Sequence, residues 1–123
     1  MLNIKKININ DIQKYSSEIK KYQLCFCSAT QYFGLFEDDE LLGFFGIIIL
    51  KNKVIFKNAY ILEKHRGKGY YKYMMNYRMY LAKNVGLIEA TCTKYSIKTY
   101  LKYGFRVIKE YKNGCKKVIY ENI

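Results

Sequence analysis

Hydrophobic positions change period several times along the chain, and the changes mark its elements. Over residues 2–8, Leu2, Ile4, Ile7 and the following Ile9 alternate with polar neighbours and predict an edge strand. Ile12, Tyr15, Ile19 and Tyr22 then recur at helical spacing, so 11–22 reads as an amphipathic helix capped by Asn10 or Asp11. After a short connector at 24–30, residues 31–36 alternate as a strand. The acidic turn Glu37-Asp38-Asp39-Glu40 joins it to a more buried strand over 41–50, which makes a hairpin with a solvated tip. Lys51-Asn52-Lys53 turns the chain into a third strand of the run, 54–62.

Beyond that point the period becomes helical. Tyr70, Met74, Tyr77, Leu81 and Val85 fall on one face, and Gly86 is a suitable C-cap. Residues 87–93 form a strand, and Ser96 opens a short helix that runs to Tyr103 and is ended by Gly104. Residues 105–111 and 115–120 close the chain as a hairpin around Asn113-Gly114, a strong turn pair. The order is β-α-β-β-β-α-β-α-β-β, an α/β class with a mixed, mostly antiparallel sheet of about seven strands flanked by helices. With 123 residues and no linker, repeat or low-complexity stretch, the expectation is one domain over 1–123.

Composition narrows the class. Half of the residues are hydrophobic and 17% are aromatic, so the chain is globular rather than disordered. The longest apolar run, 41–50, is broken by Gly43 and Gly46 and is too short to span a membrane. The first residues carry no signal-peptide core, and a cytoplasmic protein is the expectation. Cys25, Cys27, Cys92 and Cys115 include no Cys-x-x-Cys pair, and His65 stands at no ligand spacing from them; free thiols and no metal site follow. The net charge of +12 permits a polyanionic partner, nucleic acid included, but Arg66, Arg78 and Arg106 are the only arginines, which is sparse for a dedicated nucleic-acid reader.

The candidate chemistry lies between the strand 54–62 and the helix that follows. Arg66-Gly67-Lys68-Gly69-Tyr70-Tyr71 places two glycines and two cations at a helix start. Glycine lets the backbone turn tightly and lets a ligand approach, and the unpaired N–H groups of a helix N-terminus favour an anion such as phosphate. Alone, this composition does not separate an anion site from an ordinary solvated turn.

The segment resembles the acyl-CoA loop of the GCN5-related N-acetyltransferase (GNAT) family, Arg/Gln-x-x-Gly-x-Gly/Ala between the family's fourth strand and third helix. Met74-Met75, Ala82 and Gly86 continue the resemblance along the helix, and Tyr100-Leu101-Lys102-Tyr103-Gly104-Phe105 is similar to a second family motif. Gly43-Phe44 resembles the start of the family's third strand. The resemblance covers nearly the whole chain. It implies an acetyl-CoA-dependent N-acyltransferase of GNAT fold. The diphosphate of the co-substrate would rest on residues 67–71 beside Arg66 and Lys68. The backbone at Ile61 and Leu62 would bind the pantetheine arm, with an N–H near Ile61 facing the oxyanion. Tyr100 would protonate the departing thiolate.

Departures from the family pattern shape the remaining expectations. Tyr71 stands where Gly or Ala is usual and makes the cradle bulkier. A proline before the loop is missing, with Glu63 near its place. No carboxylate occupies the family's base position; Lys57, Asn58 and Tyr60 are there instead, Glu63 lies close to the loop, Glu89 is on the neighbouring strand, and the general base stays open between a carboxylate and a water chain to backbone or Asn58. His65, just before the loop, reads as structural. The room for only one helix between the first two strands suits a large acceptor, a protein amine or an amine on nucleic acid, and the basic chain suits an acidic one. The competing reading is a non-catalytic GNAT-fold module that binds CoA or nucleic acid. Monomer and homodimer are both open.

Overall fold

The computed structural model describes residues 1–8, Ile12, Glu18 and residues 29–122. The helix expected over 11–22, its capping residues Asn10 and Asp11, most of the 24–30 connector, and Cys25 and Cys27 therefore lie outside the described residues, apart from Ile12 and Glu18 themselves. The described elements are β1 (Leu2–Ile7), β2 (Gln31–Glu37), β3 (Glu40–Ile49), β4 (Lys53–Ile61), a 3-10 turn (Glu63–His65), α1 (Tyr70–Leu81), β5 (Leu87–Cys92), α2 (Ile97–Lys102), β6 (Arg106–Glu110) and β7 (Lys116–Glu121). The seven strands form one sheet in the order β1-β2-β3-β4-β5-β7-β6. Every neighbouring pair is antiparallel except β4 with β5, which is parallel. A parallel pair needs a crossover, and α1 supplies it.

The β4–β5 pairing is short. It runs from Lys53↔Leu87 to Phe56↔Ala90 and stops, although β4 continues to Ile61. Two causes are visible in the registers. β5 is paired along its whole length with β7, from Leu87↔Glu121 to Cys92↔Lys116. β4 carries a bulge: Phe44↔Tyr60 is followed by Gly46↔Lys57, so β4 spends one residue more than β3 over this step. A bulge bends and twists its strand, and the end of β4 follows β3 away from β5. Gly43 allows the close crossing, since a Cβ there would lie 2.6 Å from the Tyr60 carbonyl oxygen and 2.7 Å from Ile61 Cδ1.

The bulge also rephases the side chains. Val54 and Phe56 pack with Met75 and Ala82 on the α1 face, and after the extra residue Ala59 and Ile61 pack with Leu42, Phe45 and Met74 on that same face. Tyr60 and Leu62 go to the opposite face with Phe44 and Ile12. Without the bulge, period-two alternation would turn Tyr60 toward α1 and Ile61 away from it.

Helix α1 differs from expectation in two ways. It ends at Leu81 with Ala82 as C-cap, a turn before Gly86, because the Asn122 side chain donates to the carbonyls of Ala82 (3.2 Å) and Val85 (2.5 Å) and takes over the helix end. Its buried face is Met74, Met75, Arg78 and Ala82, with Tyr77, Leu81 and Val85 on the shoulder. The stripe is rotated toward an arginine that is only 1% exposed.

Candidate active site

Where β4 and β5 part, a cleft of about 1050 Å³ opens. It is lined by Phe56 of β4 and Thr91 of β5, by the glycine loop, and by Tyr71, Thr99 and Tyr100 from the two helices. Each wall follows from an element already described. The bulge carries Ile61 out along β4, the chain reverses through the 3-10 turn, and α1 starts at Gly69. Ser96 opens α2, which brings Tyr100 under the cleft, 4% exposed, against the Phe105 ring edge-on at 5.1 Å between centroids.

The glycines of the loop have left-handed backbone, Gly67 at φ +80° and Gly69 at φ +82°, and a Cβ built on either would meet nothing within 4 Å. Conformation requires glycine there, and the space beyond is open to a ligand. The first bond of α1 runs from the Tyr73 N–H to the Gly69 carbonyl, so the N–H groups of Tyr70, Tyr71 and Lys72 have no partner within the helix. Gly67, Gly69, Tyr70, Tyr71 and Arg66 line the cleft, while Lys68 and Leu62 do not.

Ile61 and Leu62, paired in the sequence reading, are separated by the ladder. The Leu62 N–H bonds to the Leu42 carbonyl at 3.0 Å, and the Leu62 side chain is buried on the far face. In an antiparallel ladder the next residue turns its N–H and C=O the other way. Ile61 thus presents both groups to the side that β5 has vacated, and its carbonyl accepts from Arg66 Nε at 2.9 Å. Arg66 also lies over the Tyr60 ring, 5.0 Å from its centroid. The arginine ties the loop to the strand end as well as charging it.

A second brace comes from the acidic turn. Glu40 accepts from Lys64 Nζ at 3.1 Å and meets His65 Nε2 at 2.9 Å. The Lys64 hydrogen bond and charge, and then His65, hold the Glu40 carboxyl below its ordinary value. The turn is therefore more than a solvated tip, because Glu40 anchors the loop after β4. His65 lines the cleft with its ring held by Glu40.

Glu63 and Glu89 offer no carboxylate to the cleft. The Glu63 backbone N–H donates to Glu18 Oε1 at 2.7 Å, as does the Tyr60 hydroxyl at 2.8 Å. Glu89 is tied to Lys53 at 3.3 Å and Lys117 at 3.7 Å, beside the paired part of β4 and β5. The Asn58 side chain lies outside the described residues. Among the described residues lining the cleft none is Asp or Glu, and no cluster of three metal-ligating side chains occurs among them.

Tyr71, the departure from the family pattern, folds inward. Its ring packs against the cluster that holds Met74 and Phe45. Burial pushes the Tyr71 phenol well above its ordinary value, Tyr100 adds to the shift, and Arg78 pulls the other way. Sequence reasoning missed Arg78, Glu40 and Glu18. Glu40 falls in the turn expected to be a solvated tip, Arg78 enters only as one of the three arginines, and Glu18 falls off the apolar stripe of its predicted helix.

Comparison with known proteins agrees with this geometry. The profile of the acetyltransferase (GNAT) family matches residues 4–105. No curated protein matches the sequence. Solved structures share the fold at low identity. A spermidine N-acetyltransferase mutant from Vibrio cholerae is 13% identical with a TM-score of 0.81, over 98% of this chain and 94% of that one. Arabidopsis thaliana NAA60 in complex with a bisubstrate analogue is 11% identical with a TM-score of 0.79, over 98% of each. A GNAT family acetyltransferase from Elizabethkingia anophelis with acetyl-CoA bound is 15% identical with a TM-score of 0.73, over 98% of this chain and 97% of that one. With its profile match, its seven-stranded sheet and its split between β4 and β5, the chain belongs to the acetyltransferase (GNAT) family, as an N-acetyltransferase that uses acetyl-CoA.

Proposed function

We propose that the chain moves an acetyl group from acetyl-CoA to a primary amine of a large acidic acceptor, a protein before a nucleic acid, and that Tyr100 is the proton donor. The carrying observation is the juxtaposition in one cleft of an open glycine cradle, an outward-turned Ile61 backbone and a buried tyrosine. The residues fit the co-substrate: a Cβ at Gly67 or Gly69 would meet no protein atom and would occupy the space a diphosphate needs. When bound, acetyl-CoA supplies an activated thioester, and the chain supplies position, donors and a proton.

The N–H groups at the start of α1 and Arg66 hold the diphosphate by charge and by direct donation, and Lys68, beside the cleft, adds positive charge. The Ile61 N–H and C=O take the pantetheine arm as an added strand, and an N–H at this strand end faces the oxygen on which negative charge develops. Tyr100 gives its O–H proton to the leaving sulfur. A thiol of ordinary pKa near 8.5 leaves more readily when protonated, and a phenol near 10 is a competent donor. Leu62, spent on β3, holds the strand end in place.

The acceptor class rests on charge. A net charge of +12 and a cleft without a carboxylate among its described lining residues disfavour a small polycation and favour an amine in acidic surroundings. A panel assay of CoA thiol release tests this, with acidic peptides, lysine-bearing peptides, spermidine and amine-bearing RNA as acceptors. Turnover highest on acidic peptides supports the reading; turnover highest on spermidine refutes the acceptor class, and none on any amine refutes catalysis. In Tyr100→Phe, turnover falls about 10²–10⁴-fold with CoA affinity retained, whereas unchanged turnover removes Tyr100 from the chemistry.

A further inference from the structure

Behind the cleft, Arg78 is buried, 1% exposed, with no carboxylate paired to it among the described residues. Its Nη2 donates to Tyr100 Oη at 3.2 Å and to Met75 Sδ at 3.3 Å, and Nε and Nη1 have no hydrogen-bond partner among the described residues. The guanidinium carbon lies 4.5 Å from the Phe56 centroid, 5.7 Å from Phe45 and 5.8 Å from Tyr100. Three ring faces recover part of the desolvation cost of a buried cation. They do not replace a carboxylate, and an apolar side chain of similar length would serve the core at least as well. The position of the charge, one hydrogen bond from the tyrosine that lines the cleft, gives it a use.

We infer that Arg78 is a positioning residue for Tyr100, acting through the Tyr100 hydroxyl oxygen. The inference rests on the reading of Tyr100 as proton donor. By donating to Oη, Arg78 occupies one lone pair and turns the O–H proton away from itself. During turnover the Tyr100 O–H bond breaks as an S–H bond forms on the leaving thiolate, and Oη gains negative charge. The attacking amine loses a proton to solvent, and Tyr100 is reprotonated from solvent, so protons balance. The Nη2–H···Oη bond strengthens as that charge grows in a site of low dielectric, and such an interaction acts on the transition state more than on substrate binding.

The test is a double-mutant cycle on thiol release from acetyl-CoA, using the panel amine of highest turnover. Arg78→Met keeps the linear apolar stem and removes the charge; kcat falls about 10²-fold with KM for acetyl-CoA unchanged. Arg78→Lys retains the charge and recovers part of the loss. In the Tyr100→Phe background, Arg78→Met causes no further loss, because the oxygen through which it acts is gone. The inference is overturned if Arg78→Met keeps wild-type kcat, or if it costs as much in the Tyr100→Phe background as alone. If Arg78→Met does not fold, Arg78→Lys decides: it overturns the inference if its loss is as large in the Tyr100→Phe background as with Tyr100 in place. Full turnover in Tyr100→Phe itself would sink the proton-donor reading, and that result is separable from a silent Arg78.

Discussion

Replacing Gly69 with alanine separates what the fold asks of the glycine loop from what a ligand asks of it. Gly69 has φ +82°, and an added Cβ meets no protein atom within 4 Å. The folding cost is then conformational alone, about 1 kcal/mol for a non-glycine residue held in left-handed backbone. Unfolding entropy of about 2.1 cal/mol/K per residue converts that cost, for 123 residues, to a fall in Tm of about 4 °C. Gly114, in the turn between β6 and β7, is a matched control: φ is +89°, a Cβ there also meets nothing, and it does not line the cleft. Gly114→Ala therefore carries the same folding cost. The two variants part on CoA binding. At Gly69 the methyl occupies space over the free N–H groups of α1 and displaces one charge-assisted hydrogen bond, about 1.5–3 kcal/mol or roughly 10- to 100-fold in Kd. Calorimetric titration with CoA, alongside thermal unfolding, reads both effects. If the two variants lost equal Tm and bound CoA equally well, the cradle reading would be wrong.

Two further outcomes follow from the site. With no carboxylate among the described lining residues, kcat/KM toward a lysine-type amine rises with pH toward the amine's own pKa of about 10.4, with no plateau near pH 7; a plateau near neutrality would reveal a base on the protein. Glu40→Gln loosens the loop after β4 and raises KM for acetyl-CoA with kcat retained. Because the folded Glu40 carboxyl is held below its ordinary value of 4.5, its contribution to stability is present above that pH and fades as pH falls through the lower folded value. The Tm difference between wild type and Glu40→Gln should therefore be present at pH 7 and vanish in acid, and a difference that persists in acid would contradict the pairing.

What could be read from the sequence was local. The Arg66–Tyr71 loop and the Tyr100–Phe105 segment each combine a helix end, a glycine and a polar side chain within six residues, and both stand in the cleft wall or beside it. The closing hairpin around Asn113-Gly114 was legible for the same reason. Features that depend on pairing were not. The bulge at β4 arises from the register against β3, and it decides that Ile61 rather than Leu62 turns its backbone to the cleft. Glu40 reaches His65 across 25 positions. Arg78 was not singled out, since an arginine beside an apolar stripe carries no sign of the three aromatic rings that enclose it.

The crystal structure of the acetyl-CoA complex tests the central claim most directly. The account expects the diphosphate on the N–H groups of residues 67–71, the pantetheine arm along Ile61, and the thioester sulfur within hydrogen-bond reach of Tyr100 Oη. A thioester bound out of reach of Tyr100, or a diphosphate seated away from the glycine loop, would contradict it.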